Sequence, residues 1–194
     1  RALLKRARPD VASAGRGRIL TISGGRLPEH RAGLNTLLAS QPWDVVVLQG
    51  HSRGPISDET EDAFRDAARD YVEMIRTAGA EPVFFMTWAY TGKPEMTAEI
   101  DAAYTGIGRE TGARVAPVGL AFATVTAERP DIELRMADAR HPTVAGTYLA
   151  ACTFFAVLHR ASPEGIDYDA GLGSETAAYL QRVARDTVQR YQQD

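Results

Sequence analysis

The fold is decided by the stretch Trp43-Asp44-Val45-Val46-Val47-Leu48-Gln49, an almost unbroken apolar run that ends in a polar residue. A strand that is apolar on both faces is typical of a parallel sheet covered by helices on both sides. Similar β-prone runs lie outward from it, at residues 18–23, 82–88 and 114–118. The sequence therefore predicts four strands of one central sheet.

Helical patterns alternate with these strands. Apolar residues recur on one helical face over residues 61–78, and Gly79 follows as a stop. Further helices are predicted at residues 96–112, 119–128, 143–159 and 175–192, and residues 1–8 read as part of an amphipathic helix. This alternation implies an α/β fold with three layers, α/β/α. No repeat, low-complexity segment or linker interrupts residues 1–194, so we expect a single domain.

Composition excludes several classes of protein. The 194 residues are 44% hydrophobic and carry a net charge of −3, which argues against a broad nucleic-acid surface. A single cysteine, Cys152, excludes an internal disulfide and a cysteine-based zinc cluster, and its apolar surroundings predict burial. No apolar segment reaches the ~18 residues of a membrane helix, so we expect a soluble protein, cytoplasmic or exported. Neither a metal nor another cofactor is expected, since the histidines lack suitably spaced carboxylates. The oligomeric state is left open.

Polar residues that follow the strands are the first site candidates, because ligands bind beyond the carboxyl ends of parallel strands. Gly24-Gly25 follows the run at residues 18–23, where glycines permit a sharp turn and leave N–H groups open for an anion. Gln49 ends the next strand and could aim its amide at a developing oxyanion. The alternatives are a plain turn for the glycines and a structural hydrogen bond for Gln49.

Three more residues are candidates for substrate contact. His51 and Ser52 follow Gln49 in the same loop, and Trp88 ends the strand at residues 82–88. Trp88, the last residue of that predicted strand, could wall a pocket, although aromatic residues at such positions more often belong to the core.

The sharpest feature is Asp138-Ala139-Arg140-His141-Pro142, just ahead of an apolar helix. Asp and His three residues apart in a turn can point at one another. The carboxylate then holds the imidazole tautomer while the other ring nitrogen takes a proton from a hydroxyl. The alternative is a helix-entry turn with an exposed His141 and an Asp138 that caps the backbone.

Taken together and in this order, Gly24-Gly25, the strand ending at Gln49, and Asp138-x-x-His141-Pro142 with the helix after it resemble the SGNH hydrolase superfamily. These are the GDSL-like esterases and acetylesterases. The segment Gln49-Gly50-x-Ser52 is similar to the sialate and other carbohydrate O-acetylesterases, where Gln replaces the usual oxyanion-hole Asn. The resemblance covers almost the whole chain and implies a flavodoxin-like sandwich with a Ser-His-Asp triad and no metal.

Carried over residue by residue, the resemblance makes His141 the general base and Asp138 its orienter. Gly25 would give a backbone N–H to the oxyanion hole, with Gly24 the less favoured choice, and Gln49 would give its side-chain amide. We predict a serine esterase that acts on small acyl esters, with an O-acetylated carbohydrate as the expected kind. The rival is a non-catalytic carbohydrate-binding or scaffold protein on the same fold.

The resemblance does not assign the nucleophilic serine to any residue of this sequence. The superfamily's serine lies in a Gly-x-Ser motif after the first strand, upstream of the other elements, and this sequence has no such motif. Ser13, in a loop-like stretch, is the only serine before residue 23. We expect an N-terminal segment, absent from this chain, to carry the first strand and the serine. The alternative is a complete chain that is inactive or uses Ser23 or Ser52.

Overall fold

A computed structural model describes residues 2–8 and 17–193 of the chain. The chain forms two compact units. The unit that we call the sheet unit comprises Arg18–Thr87 and Glu95–Val115, and the one that we call the helical unit comprises Arg1–Gly17, Trp88–Pro94 and Ala116–Asp194. The backbone passes four times from one unit to the other. The expectation of a single domain stays a prediction.

The sheet has three strands in the order β1-β2-β3, with bounds Val45–Leu48, Glu81–Phe85 and Arg114–Ala116. β1 runs parallel to β2, with Val45 opposite Glu81 and Leu48 opposite Phe84. Three of the four predicted strands are therefore confirmed. β2 ends at Phe85, three residues before the predicted limit and one residue after its last pairing with β1, at Phe84.

In the sheet unit, a 3-10 helix at Leu27–His30 leads into α2 (Arg31–Ser40), and α3 (Glu61–Thr77) and α4 (Met96–Thr111) follow. α3 packs against β2, α2 and α4. The core of this unit includes Tyr104, whose ring meets those of Phe64 and Phe84 edge to face at 5.4 and 6.3 Å. α2 was not predicted, because residues 31–40 contribute only one buried side chain, Leu34, and lack a clear apolar stripe.

The prediction of a strand at residues 18–23 is wrong: these residues have irregular backbone and end in a turn. Their apolar side chains are open to solvent, with Ile19 90% exposed. A strand needs a neighbour for its N–H and C=O groups, and no described strand pairs with this segment. β1 is likewise an edge strand, and its Val47 is 41% exposed.

The helical unit contains α1 (Ala2–Ala7), α5 (Val118–Glu128), α6 (Val144–His159) and α7 (Ser174–Tyr191). α5, α6 and α7 pack against one another, and α1 lies on α6. Every predicted helix is found, with ends within one residue of the predicted ones. Cys152 lies in the core of α6 as predicted, and burial raises the pKa of its thiol to about 12.

These elements make an α/β protein with a parallel three-stranded sheet flanked by helices, consistent with the flavodoxin-like fold that was predicted. In the described part of the chain, no helix has the length and apolar character needed to cross a membrane.

Candidate active site

The Asp138–His141 motif sits at the tip of a closed turn in the helical unit. Arg135 and Pro142 form an isolated antiparallel bridge at its base. Met136 N–H donates to the His141 carbonyl at 2.7 Å, and Ala139 N–H donates back to the Met136 carbonyl at 2.9 Å. Ala139 takes the left-handed conformation, with φ of 65°. A non-glycine residue holds that conformation only where its surroundings fix it, as the surrounding hydrogen bonds do here.

The side chains of Asp138 and His141 meet within this turn. One carboxylate oxygen of Asp138, Oδ2, is in close hydrogen-bond contact with His141 Nδ1. The other, Oδ1, accepts the backbone N–H groups of Arg140 and His141, each at 2.9 Å. The predicted pair is therefore formed, and the carboxylate is fixed by backbone as well as by the imidazole.

Electrostatics favours an ionised Asp138. The hydrogen bond from His141, followed by those from the two backbone N–H groups, lowers the pKa of Asp138 to about 2. A carboxylate acceptor keeps the proton of a neutral imidazole on Nδ1 and leaves a lone pair on Nε2. The His141 side chain is 75% exposed, and no described residue of the helical unit hydrogen-bonds its Nε2. That nitrogen is free to accept a proton from a reacting group.

A second loop, at residues 88–91, is fastened to the turn. Trp88 Nε1 donates to the Arg140 carbonyl at 2.9 Å, and Thr91 N–H donates to the Ala139 carbonyl at 3.1 Å. The Trp88 ring is buried and stacked on the Phe122 ring, with 4.2 Å between the centroids, so the hydrogen bond to Arg140 comes from a side chain held in the core. Trp88 thus supports the turn from behind, and its predicted contact with substrate stays a prediction.

Gly146, in the first turn of α6, allows the helix to approach the turn closely. A Cβ atom at this position would lie 2.3 Å from the Leu134 carbonyl oxygen and 3.0 Å from the Phe122 ring. Thr143 caps the helix by accepting the Gly146 N–H at 3.2 Å. Glycine is therefore required here for close packing of α6 behind the Asp138–His141 turn.

In the sheet unit, the Gly24-Gly25 pair lies in a turn. Gly25 N–H donates to the Ile22 carbonyl at 2.9 Å, and Gly24 has the left-handed φ of 68° that the third position of such a turn can require. The Gly25 N–H group is therefore occupied, whereas no described residue accepts the N–H of Gly24. This favours Gly24, the less favoured choice from the sequence, as the open donor.

Gln49 follows β1 directly and is exposed. Its neighbour Gly50 is buried, and the Gly50 N–H donates to the Tyr104 hydroxyl at 3.1 Å. A Cβ atom on Gly50 would lie 2.9 Å from the Phe64 ring. Burial raises the pKa of Tyr104, which keeps the hydroxyl neutral and able to accept this N–H. The backbone after Gln49 is thus fixed, and no described residue of the sheet unit hydrogen-bonds the Gln49 side chain.

The remaining candidates lie in turns of the sheet unit. His51 is exposed, and its carbonyl accepts the Gly54 N–H at 2.7 Å, so Ser52 occupies the middle of that tight turn. Ser23 lies in the turn before Gly25. Neither serine follows a strand and opens a helix, which is the arrangement that exposes a nucleophile. Ser13 lies outside the described residues.

Sequence reasoning missed two features of the site. One is the contact between the guanidinium of Arg140 and the ring of Tyr90, 5.1 Å from its centroid. The other is the Tyr104 hydroxyl behind Gln49. Tyr104 showed only as one residue of a helical stripe, and nothing in the spacing of Arg140 and Tyr90 could have paired them. Among the described residues, no group of three or more metal-binding side chains occurs.

Comparison with solved structures shows the family of this chain. A protein from Slackia heliotrinireducens assigned to the SGNH hydrolases matches with 30% identity and a TM-score of 0.62, over 70% of this chain and 80% of its own. The chain belongs to the SGNH hydrolase superfamily. SGNH membership supports a hydrolase function in general terms and confirms the predicted superfamily.

Two further structures share the fold of this chain at lower identity. A DUF4886 family protein from Bacteroides uniformis matches at 19% identity and a TM-score of 0.65, over 80% of this chain and 66% of its own. TesA matches at 18% identity and a TM-score of 0.62, over 82% of this chain and 86% of its own. No family model and no curated protein sequence matches the chain.

Proposed function

We propose that this SGNH protein is a serine esterase that hydrolyses small acyl esters, with His141 as general base and Asp138 as the residue that orients it. The observation that carries the proposal is the fixed Asp138–His141 pair with a free Nε2. A base held by a carboxylate on one nitrogen and open on the other is suited to deprotonating a serine hydroxyl.

In the proposed reaction, His141 Nε2 takes the proton of a serine, and the serine oxygen attacks the ester carbonyl. The tetrahedral intermediate collapses, His141 returns the proton to the departing alcohol, and an acyl-enzyme remains. Water, deprotonated by the same imidazole, then attacks the acyl carbonyl. The bond to the serine oxygen breaks, His141 returns the proton to that oxygen, and the acid is released. Asp138 stays ionised throughout and stabilises the imidazolium.

The Gln49 side-chain amide is proposed as one donor to the developing oxyanion, because its backbone is fixed through Gly50 and Tyr104. A glycine N–H is proposed as the second donor, and the occupied N–H of Gly25 supports Gly24 for this role. The serine's own N–H would be the third. Each such donor contributes roughly 10²–10³ in rate.

The nucleophilic serine is proposed to lie upstream of residue 1, on a strand that precedes this chain. Two observations in the sheet unit support this proposal. β1 has an open edge among the described strands, and the apolar side chains of Ile19, Leu20 and Ile22 are exposed. A further strand would pair that edge and cover those side chains. The resemblance of Gln49-Gly50-x-Ser52 to carbohydrate O-acetylesterases supports an acetylated sugar as substrate.

Turnover of a chromogenic acetate ester by the full-length protein tests this function. We expect His141→Ala to lower kcat by roughly 10³–10⁴, because the general base is lost. The matched control is His159→Ala, at the far end of α6, where activity should stay within about twofold of the unsubstituted protein. Activity that survives in His141→Ala would refute the assignment. Sugar binding without any ester turnover would favour the non-catalytic rival.

A further inference from the structure

Arg140 lies between the two members of the proposed base pair, and its backbone is fixed on both sides. Its N–H donates to Asp138 Oδ1 at 2.9 Å, and its carbonyl accepts the Trp88 indole N–H at 2.9 Å. Neither contact involves the Arg140 side chain. The direction in which that side chain leaves the turn is therefore set by groups that a substitution of Arg140 would not remove.

The guanidinium of Arg140 lies over the ring of Tyr90. Tyr90 belongs to the loop that Trp88 and Thr91 fasten to the turn, so both partners of this stack are held. A cation over an aromatic face is stabilised by the electrons of the ring. The stack uses one face of the guanidinium and leaves the N–H groups at its edge open.

The charge of Arg140 has no carboxylate partner in the described part of the helical unit. Asp138, the nearest in sequence, directs its oxygens to His141 and to backbone N–H groups. Arg129 and Arg185 of the same unit, by contrast, each pair with a neighbouring carboxylate. Arg135, also in this unit, donates to the Ala89 carbonyl at 2.7 Å. Arg140 is thus an exposed and oriented cation next to His141, without a carboxylate partner among the described residues of its unit.

We propose that Arg140, stacked on Tyr90, binds a carboxylate on the substrate, so that the enzyme prefers esters that carry a negative charge. A planar guanidinium with free edge N–H groups matches a carboxylate with two parallel hydrogen bonds. The proposal rests on the esterase function and adds the class of substrate. It makes Arg140 a specificity-determining residue that takes no part in bond breaking.

The test compares two acetate esters of similar shape, 4-acetoxybenzoate and 4-acetoxybenzamide. The first carries a charged carboxylate where the second carries a neutral carboxamide. The ratio of their kcat/KM values is measured for the full-length protein and for each variant. Dividing the ratio of a variant by that of the unsubstituted protein cancels the difference in intrinsic reactivity between the two esters.

Arg140→Gln should lower the kcat/KM for 4-acetoxybenzoate relative to that for 4-acetoxybenzamide by about threefold to tenfold. This is the range expected for a partly exposed charge pair. Arg140→Lys keeps the charge without the planar fork and should recover part of the preference. Raising ionic strength to about 1 M, where the Debye length is about 3 Å, should weaken it in the unsubstituted protein. Arg182→Gln is the control, since Arg182 also stacks on a tyrosine, Tyr179, elsewhere in the helical unit.

An unchanged ratio in Arg140→Gln, equal to that of Arg182→Gln, would overturn the proposal. A binding measurement separates this failure from a failure of the esterase function. Saturation-transfer NMR with 4-hydroxybenzoate and 4-hydroxybenzamide requires no turnover. Preferred binding of the anion that Arg140→Gln abolishes would support the carboxylate site even in a protein without ester hydrolysis. Equal binding of both compounds would refute it.

Discussion

The turn at Leu134–Thr143 and the segment at residues 18–26 both carry residues of the proposed site, but they are held in different ways. The turn is closed by its own backbone hydrogen bonds, fastened to the loop at Trp88, and packed against Gly146 of α6. In the segment at residues 18–26, Gly25 N–H donates to the Ile22 carbonyl, and the apolar side chains are exposed. Local contacts therefore hold the Asp138–His141 pair, whereas no described strand pairs with the segment at residues 18–26.

Gln49 falls between these two cases. Its backbone is fixed by the bond from Gly50 to Tyr104, but its side chain makes no hydrogen bond to any described residue of the sheet unit. A free amide beside a fixed backbone is what an oxyanion donor requires before substrate arrives. The proposed general base and its orienter are therefore held by contacts within the helical unit. Within the sheet unit, the backbone beside one proposed oxyanion donor is fixed.

The largest effect is expected for Asp138→Asn, which replaces one of the two acceptor oxygens at the centre of the turn by an NH2 group. The amide can turn an N–H group towards Nδ1, which would favour the imidazole tautomer with its proton on Nε2, unable to act as a base. We expect kcat for an acetate ester to fall by roughly 10³–10⁴. Glu133→Gln removes a carboxylate five residues away and should leave kcat unchanged. Equal activity in Asp138→Asn would mean that the turn is only structural.

Gln49→Ala tests the sheet unit's share of the site. Loss of one oxyanion donor should lower kcat by roughly 10²–10³ with a smaller change in KM, since the contact forms in the transition state. Gln41→Ala, at the end of α2, is the control and should not change kcat. A rise in KM with kcat unaltered would assign Gln49 to substrate binding instead.

Gly146→Ala should loosen the turn from behind without touching a proposed catalytic group. The added methyl carbon would lie 2.3 Å from the Leu134 carbonyl oxygen, which is a steric clash. Overpacking of this kind costs about 1–3 kcal/mol. Denaturant unfolding should show this loss of stability, and the acetate-ester assay should show a lower kcat. Gly106→Ala, in α4, meets nothing within 4 Å and should instead stabilise by about 1 kcal/mol. Equal stability of both variants would show that the close approach is relieved at no cost.

The smallest effect is expected in the acid titration of Asp138. Its pKa is about 2 in the folded protein, below the 3.8 of an unperturbed carboxyl. A lowered pKa means that the ionised form stabilises the fold, fully above pH 3.8, and that this contribution disappears as the pH falls towards about 2. The difference in unfolding free energy between the parent protein and Asp138→Asn should narrow over that range. A carboxyl carbon NMR titration of Asp138 with its midpoint near 3.8 would contradict the account.

Local patterns explain which parts of the molecule could be predicted from the sequence. The helices could be predicted from apolar periodicity. The Asp138–His141 pair could be predicted because its hydrogen bonds lie within one turn, among Asp138, Arg140 and His141. The strand at residues 18–23 failed because β-structure requires a partner that no local pattern supplies. The occupied N–H of Gly25 and the stack of Arg140 on Tyr90 depend on backbone and side-chain conformation, which spacing does not encode.

The central claim is that His141, held by Asp138, activates a serine in the full-length protein. Reaction with a fluorophosphonate probe, followed by peptide mass spectrometry of the parent protein and of His141→Ala, tests it most directly. We predict that a single serine, in a Gly-x-Ser motif, is labelled in the parent protein and that His141→Ala loses the label. The absence of any labelled serine, or labelling at the same rate in His141→Ala, would contradict the claim.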